Sequence, residues 1–76
     1  MNKHKWNWFY NTINKEANCF YGVELKFIYC GVIITSTIGD NRAEFCSDDF
    51  DILLRDVMIY LNSNFKRRKY IIKIKK

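Results

Sequence analysis

The 76-residue sequence contains no proline, three glycines and one histidine. Without proline, and with so little glycine, it belongs to neither the collagen-like nor the low-complexity classes. The single histidine, His4, lies between two lysines near the start of the chain. A Ser–His–Asp or Cys–His arrangement would have to use it, and chain termini are poorly suited to holding a catalytic group. The three cysteines, Cys19, Cys30 and Cys46, form no C-x-x-C or C-x-x-H pair, so the usual structural zinc signature is missing. Their odd number argues against the even disulfide set of a small secreted domain. The expectation is three reduced, largely buried thiols. No apolar run approaches the roughly 20 residues that span a bilayer, and Trp6 to Thr12 is too polar for the core of a signal peptide. These features point to a cytoplasmic protein.

What is present is a chain able to fold. Hydrophobic residues make up 49% and aromatics 17%, too apolar for a disordered segment. The length allows one domain, spanning 1–76, with a small core.

Residues 4–17 read as a helix. Trp6, Phe9, Tyr10, Ile13, Ala17 and Phe20 recur on one face of a 3.6-residue period, and Asn18 is a natural stop because Asn tolerates the left-handed conformation. Residues 22–29 alternate as a strand, with Val23, Leu25, Phe27 and Tyr29 on the inner face. Cys30-Gly31 makes a turn or bulge, and 32–38 is β-branched enough for a second strand. Gly39-Asp40-Asn41 is a turn, followed by a short strand over 42–46 with Ala43 and Phe45 inward.

Ser47 stands where a helix cap belongs, with Asp48, Asp49 and Asp51 in the first turn to oppose the helix dipole. Phe50, Leu53, Leu54, Val57, Met58 and Leu61 form the apolar stripe of a helix over 48–63. Lys66 to Lys69 is a loop, and Tyr70, Ile72 and Ile74 alternate as a last strand. The expected fold is α+β, order α-β-β-β-α-β, an antiparallel meander packed on its helices.

Charge is distributed unevenly. The total of +5 is the remainder of +2 over residues 1–39, −4 over 40–56 and +7 over 57–76, where no acid occurs. The basic set Lys66, Arg67, Arg68, Lys69, Lys73 and Lys75 suits phosphate or an acidic protein surface. It also suits a solvated edge strand guarded by lysine, or an internal match to the acidic segment.

Two isoleucines sit on the wrong side of the second helix. At 100° per residue, Ile52 and Ile59 fall opposite the core stripe, among Asp48, Arg55 and Asp56. Trp8 falls opposite the stripe of the first helix. Exposed apolar side chains of this size mark interfaces, and homodimerisation would be one simple way to cover them. If residues 4–10 were a strand instead, the argument for Trp8 would lapse.

No motif for a nucleotide, metal or cofactor is present. Asp48-Asp49-x-Asp51 lacks the spacing and glycine of an EF-hand loop and reads as helix-start acids. The expectation is a protein without enzymatic activity. A third class, a small ribonuclease toxin, would rely on Tyr70 with neighbouring Lys and Arg.

The α-β-β-β-α order with a basic surface resembles the double-stranded-RNA-binding domain. That family docks the start of its second helix on phosphates through lysines. Here the same place reads Ser47-Asp48-Asp49-Phe50-Asp51, which would repel a phosphate backbone, so only the topology carries over. The small ribonuclease toxins sharing this topology use a histidine on the sheet, and none occurs there in this chain. In type, the chain is also similar to the small phage and mobile-element inhibitors of host defence, the anti-CRISPR proteins among them. It shares with them a short motif-free domain rich in Asn, Ile, Lys and Tyr. That resemblance implies a non-catalytic viral inhibitor acting on a larger protein or nucleoprotein complex such as a defence nuclease. The alternative is a basic module binding DNA or RNA.

Overall fold

The computed structural model describes residues 3–68. Two helices and three strands follow one another as α1 (Lys3–Ala17), β1 (Val23–Ile28), β2 (Gly31–Ser36), β3 (Arg42–Cys46) and α2 (Phe50–Asn64). The fold is a small α+β domain in the order α-β-β-β-α. The strand expected over 70–75 lies outside the described residues.

The strands form one antiparallel sheet in the order β1-β2-β3. Leu25 pairs with Ile34 and Phe27 with Val32, and across β2 these continue to Ala43 and Phe45. Because side chains alternate along a strand, this register leaves Ile28 on one face and puts Val23, Leu25, Phe27, Ala43 and Phe45 on the other. That face meets both helices. Phe9, Ile13, Phe20, Val32, Ile34, Phe50, Leu53, Val57 and Leu61 are buried together there, with Trp6, Phe27 and Phe45 packed at the margin. Trp6 and Phe9 each meet Phe27 edge-on at 5.7 and 6.3 Å, and Phe9 stacks on Phe50 at 5.4 Å. Edge and offset ring contacts of this kind add to the area buried.

The helices run parallel. At one end Trp6 and Phe9 of α1 meet Phe50 at the start of α2. At the other, the chain leaving α2 pairs with the chain leaving α1: the Tyr21 amide donates to the Lys66 carbonyl at 2.9 Å, and the Arg68 amide to the Cys19 carbonyl at 2.7 Å. Phe20 and Arg67 form an antiparallel bridge between these bonds.

Several local expectations change. The cap of α2 is Asp49, not Ser47. Its carboxylate accepts from the amides of Asp51 and Ile52 at 2.9 and 3.3 Å. Ser47 Oγ instead accepts from the Asp49 amide at 3.0 Å, in a turn ahead of the helix that also holds Asp48. Ser and Asp cap equally well, and the later position turns Phe50 into the core as the first helical residue.

Among the described residues no side-chain-bearing residue has positive φ, so Asn18 does not end α1 in the left-handed conformation. The helix tightens instead through amide bonds from Cys19 to Glu16 and from Phe20 to Ala17. The positive φ falls at Gly22, at +69°. β1 stops at Ile28, which leaves Tyr29 in the hairpin turn and 90% exposed rather than inward. β2 stops at Ser36, and Ile38 is 79% exposed in the following loop.

The cysteines are not three buried thiols. Cys30 and Cys46 form a disulfide, with Cα atoms 4.9 Å apart, and Cys19, outside it, donates its thiol hydrogen to the Lys15 carbonyl at 3.7 Å. Sixteen residues separate the pair, but the register places Gly31 opposite Cys46 and so brings Cys30 beside it. That Cα separation is ordinary for a disulfide. The same approach fixes Gly31 as glycine, since a Cβ there would run into the Phe45 carbonyl oxygen.

Candidate interaction surface

The outer face of the helix layer is built from residues that the two helical periods turn away from the sheet. Ile52 is 41% exposed and Ile59 57% exposed on α2, one two-turn repeat apart. On α1, Trp8 is 41% exposed. All three were expected on the outside, and α1 is a helix through residues 4–10, so the strand alternative for Trp8 falls away.

One lysine joins the two helices across this face. Lys5 Nζ lies 5.5 Å from the centre of the Trp8 ring and 3.8 Å from Asp51 Oδ2, at the residue before Ile52. Trp8 therefore faces the same side as the start of α2. The Lys5–Asp51 pair is exposed and so contributes little stability by itself. It does orient an ammonium over the indole face, where the ring quadrupole favours a cation. Arg55 and Asp56 lie beside the isoleucines and form an exposed pair at 3.6 Å. Asp48 is exposed in the turn before the helix. Trp8, Ile52 and Ile59 are thus exposed on the helix layer, with charges of both signs among their neighbours.

Charge is separated along α2. Asp48, Asp49 and Asp51 cluster at its start, and Lys66, Arg67 and Arg68 follow its end. Fifteen residues of helix put these groups about 22 Å apart at 1.5 Å per residue. The acids at the start of α2 and the bases after its end thus lie at opposite ends of that helix. Lys69, Lys73 and Lys75 lie outside the described residues.

The basic end was legible only as a charge run. Its structural partners are aromatic. Arg67 Cζ lies 4.7 Å over the Phe20 ring, and Arg68 Cζ lies 4.9 Å over the Tyr21 ring. Arg68 Nε donates to the Phe20 carbonyl at 3.2 Å. The arginines are therefore latches between the two chain ends as well as charges. No spacing rule links residues 20–21 with 67–68, which meet through tertiary pairing.

The other face of the sheet carries Glu24, Lys26, Ile33, Thr35 and Arg42, which line a shallow open depression. Acid and base alternate along both outer strands there, which is the pattern of a solvated sheet face. Among the described residues, no group of three or more His, Cys, Asp and Glu side chains is placed to hold a metal ion. No described helix is long and apolar enough to cross a membrane.

Comparison of the chain with models of protein families, with curated proteins and with solved structures finds no match.

Proposed function

We propose that this chain is a non-catalytic binding protein that inhibits or regulates a larger protein or nucleoprotein complex through the outer face of its helix layer. The observation that carries this reading is the exposure of Trp8, Ile52 and Ile59 on a domain whose core is small. About half of each remains exposed, so covering each would contribute about 1 kcal/mol. A domain of this size has on the order of 5 kcal/mol in total stability, so apolar area on this scale is better explained by a partner than by packing. Arg55, Asp56 and Asp48 form the polar rim that would exclude water and set the orientation.

A defence nuclease is the kind of target that the two-signed surface suits. Its protein walls would meet the apolar face, and its nucleic-acid channel offers a potential to which a dipolar ligand responds.

The test is affinity capture from the native host, run with and without nuclease treatment, using the wild type and the Ile52→Asp plus Ile59→Asp variant. The expected result is a large protein partner retained after nuclease treatment and lost from the variant. Capture that is equal for both proteins overturns the helix-face reading. A doubled solution mass, abolished in the variant, would make a second copy of the chain the occupant instead. For the inhibitor reading, expression of the wild type, but not the variant, should raise phage plating on cells carrying the captured defence system.

A further inference from the structure

The basic end of the molecule has a geometry that its charge alone does not give. Arginine in solution loses side-chain freedom when it binds an anion, and rigid placement removes that cost. Here two consecutive arginines are already placed. Arg67 Cζ sits over the ring of Phe20, which is itself buried in the core. Arg68 Cζ sits over the Tyr21 ring and is pinned a second time through Nε to the Phe20 carbonyl.

A guanidinium fits phosphate oxygens in a two-pronged bond through its in-plane N–H edge, and contact with a ring does not consume those donors. The Nε bond of Arg68 leaves both of its Nη groups for such a contact. Lys66 precedes them, and among the described residues no carboxylate forms an ion pair with any of the three. The backbone beneath is fixed by the Tyr21–Lys66 and Arg68–Cys19 hydrogen bonds. In sequence, four more lysines follow within eight residues.

We propose that this end, formed by Phe20, Tyr21, Lys66, Arg67 and Arg68, is a phosphodiester-binding site for single-stranded nucleic acid. Two guanidinium edges engage successive phosphates. The half-exposed ring of Tyr21 offers a base an aromatic surface beside them. Basic side chains tracking a backbone next to an aromatic platform are the usual means of holding single strands without sequence preference. The acidic start of α2 lies at the far end of the helix and does not oppose the strand. This site is separate from the apolar helix face and goes beyond the function proposed for that face.

The test uses the full chain and a fluorescein-labelled 15-nucleotide oligothymidylate, with anisotropy read from 50 to 200 mM salt. Binding of the wild type should weaken with salt. The Arg67→Gln plus Arg68→Gln variant should lose two phosphate contacts and hence about 1.4 from the magnitude of the log–log slope, at roughly 0.7 per contact on a single strand. Over that fourfold salt range the wild type then loses about sevenfold more affinity than the variant. The arginines also latch the chain ends, so Arg67→Lys plus Arg68→Lys is the control. It keeps the charge but not the fork, and should retain the slope while binding more weakly. Absence of wild-type binding at 50 mM salt overturns the proposal, as does an unchanged slope in the glutamine variant. Equal competition by polyglutamate would reassign the site to an acidic protein surface, and tighter binding to a duplex of the same length would refute the single-strand assignment.

Discussion

Leu53 and Ile52 are neighbours in sequence with opposite roles, and the difference lies in one helical step. Leu53 is buried among Phe50, Val57 and Leu61, whereas Ile52 is turned outward by 100°. Truncating Leu53 to Ala removes buried methyl groups and leaves a void, at a cost of about 2–5 kcal/mol. Placing Asp at Ile52 removes no core contact and buries no charge, so the change should stay within about 0.5 kcal/mol. Urea unfolding of both variants measures this contrast. A loss of more than 2 kcal/mol in Ile52→Asp would show that the isoleucine belongs to the core and is not a binding residue. Periodicity exposed this difference directly in the sequence, because burial on α2 follows the 3.6-residue stripe at Phe50, Leu53, Val57 and Leu61.

At the scale of elements, both helices and all three described strands were legible, because each has its own period. What escaped were features made by two elements together. The Cys30–Cys46 disulfide depends on the pairing register of β2 with β3 and on Gly31 standing where no Cβ fits. The contact of Arg67 and Arg68 with Phe20 and Tyr21 depends on two chain ends that sequence separates by nearly fifty residues. Tyr29 was misplaced because alternation has no mark for where a strand stops and its hairpin begins. The disulfide gives a direct prediction. Under denaturing conditions without reductant, the oxidised protein should react with one equivalent of a thiol reagent, at Cys19, and with three after reduction. Closing a loop of this length contributes about 3 kcal/mol, so reduction should lower the urea midpoint. Three reactive thiols before reduction would mean that the protein is held in its reduced form. That form is expected where glutathione keeps cysteines reduced, so the thiol count also bears on the compartment.

Across the whole molecule, parallel helices turn a sequence pattern into a spatial one. The acids at the start of α2 lie where the helix dipole favours them, and the helix itself holds them apart from the bases that follow its end. An antiparallel pair of the same two helices would have returned the end of α2 to the start of α1, and the basic end would have met Lys5 instead of Phe20 and Tyr21. The two proposed surfaces, the apolar helix face and the basic end, share no ion pair among the described residues. Mutations more than about 10 Å apart without shared partners add within roughly 0.5 kcal/mol. The Ile52→Asp plus Ile59→Asp pair and the Arg67→Gln plus Arg68→Gln pair should accordingly have additive effects on unfolding free energy. The arginine pair should cost more, because it releases the latch on residues 19–21, while the isoleucine pair should be close to neutral. A quadruple variant that departs from the sum by more than 1 kcal/mol would show that the two regions share a folding contact. The molecule would then have one continuous working surface, and the apolar face and the basic end would have to be read as parts of a single site.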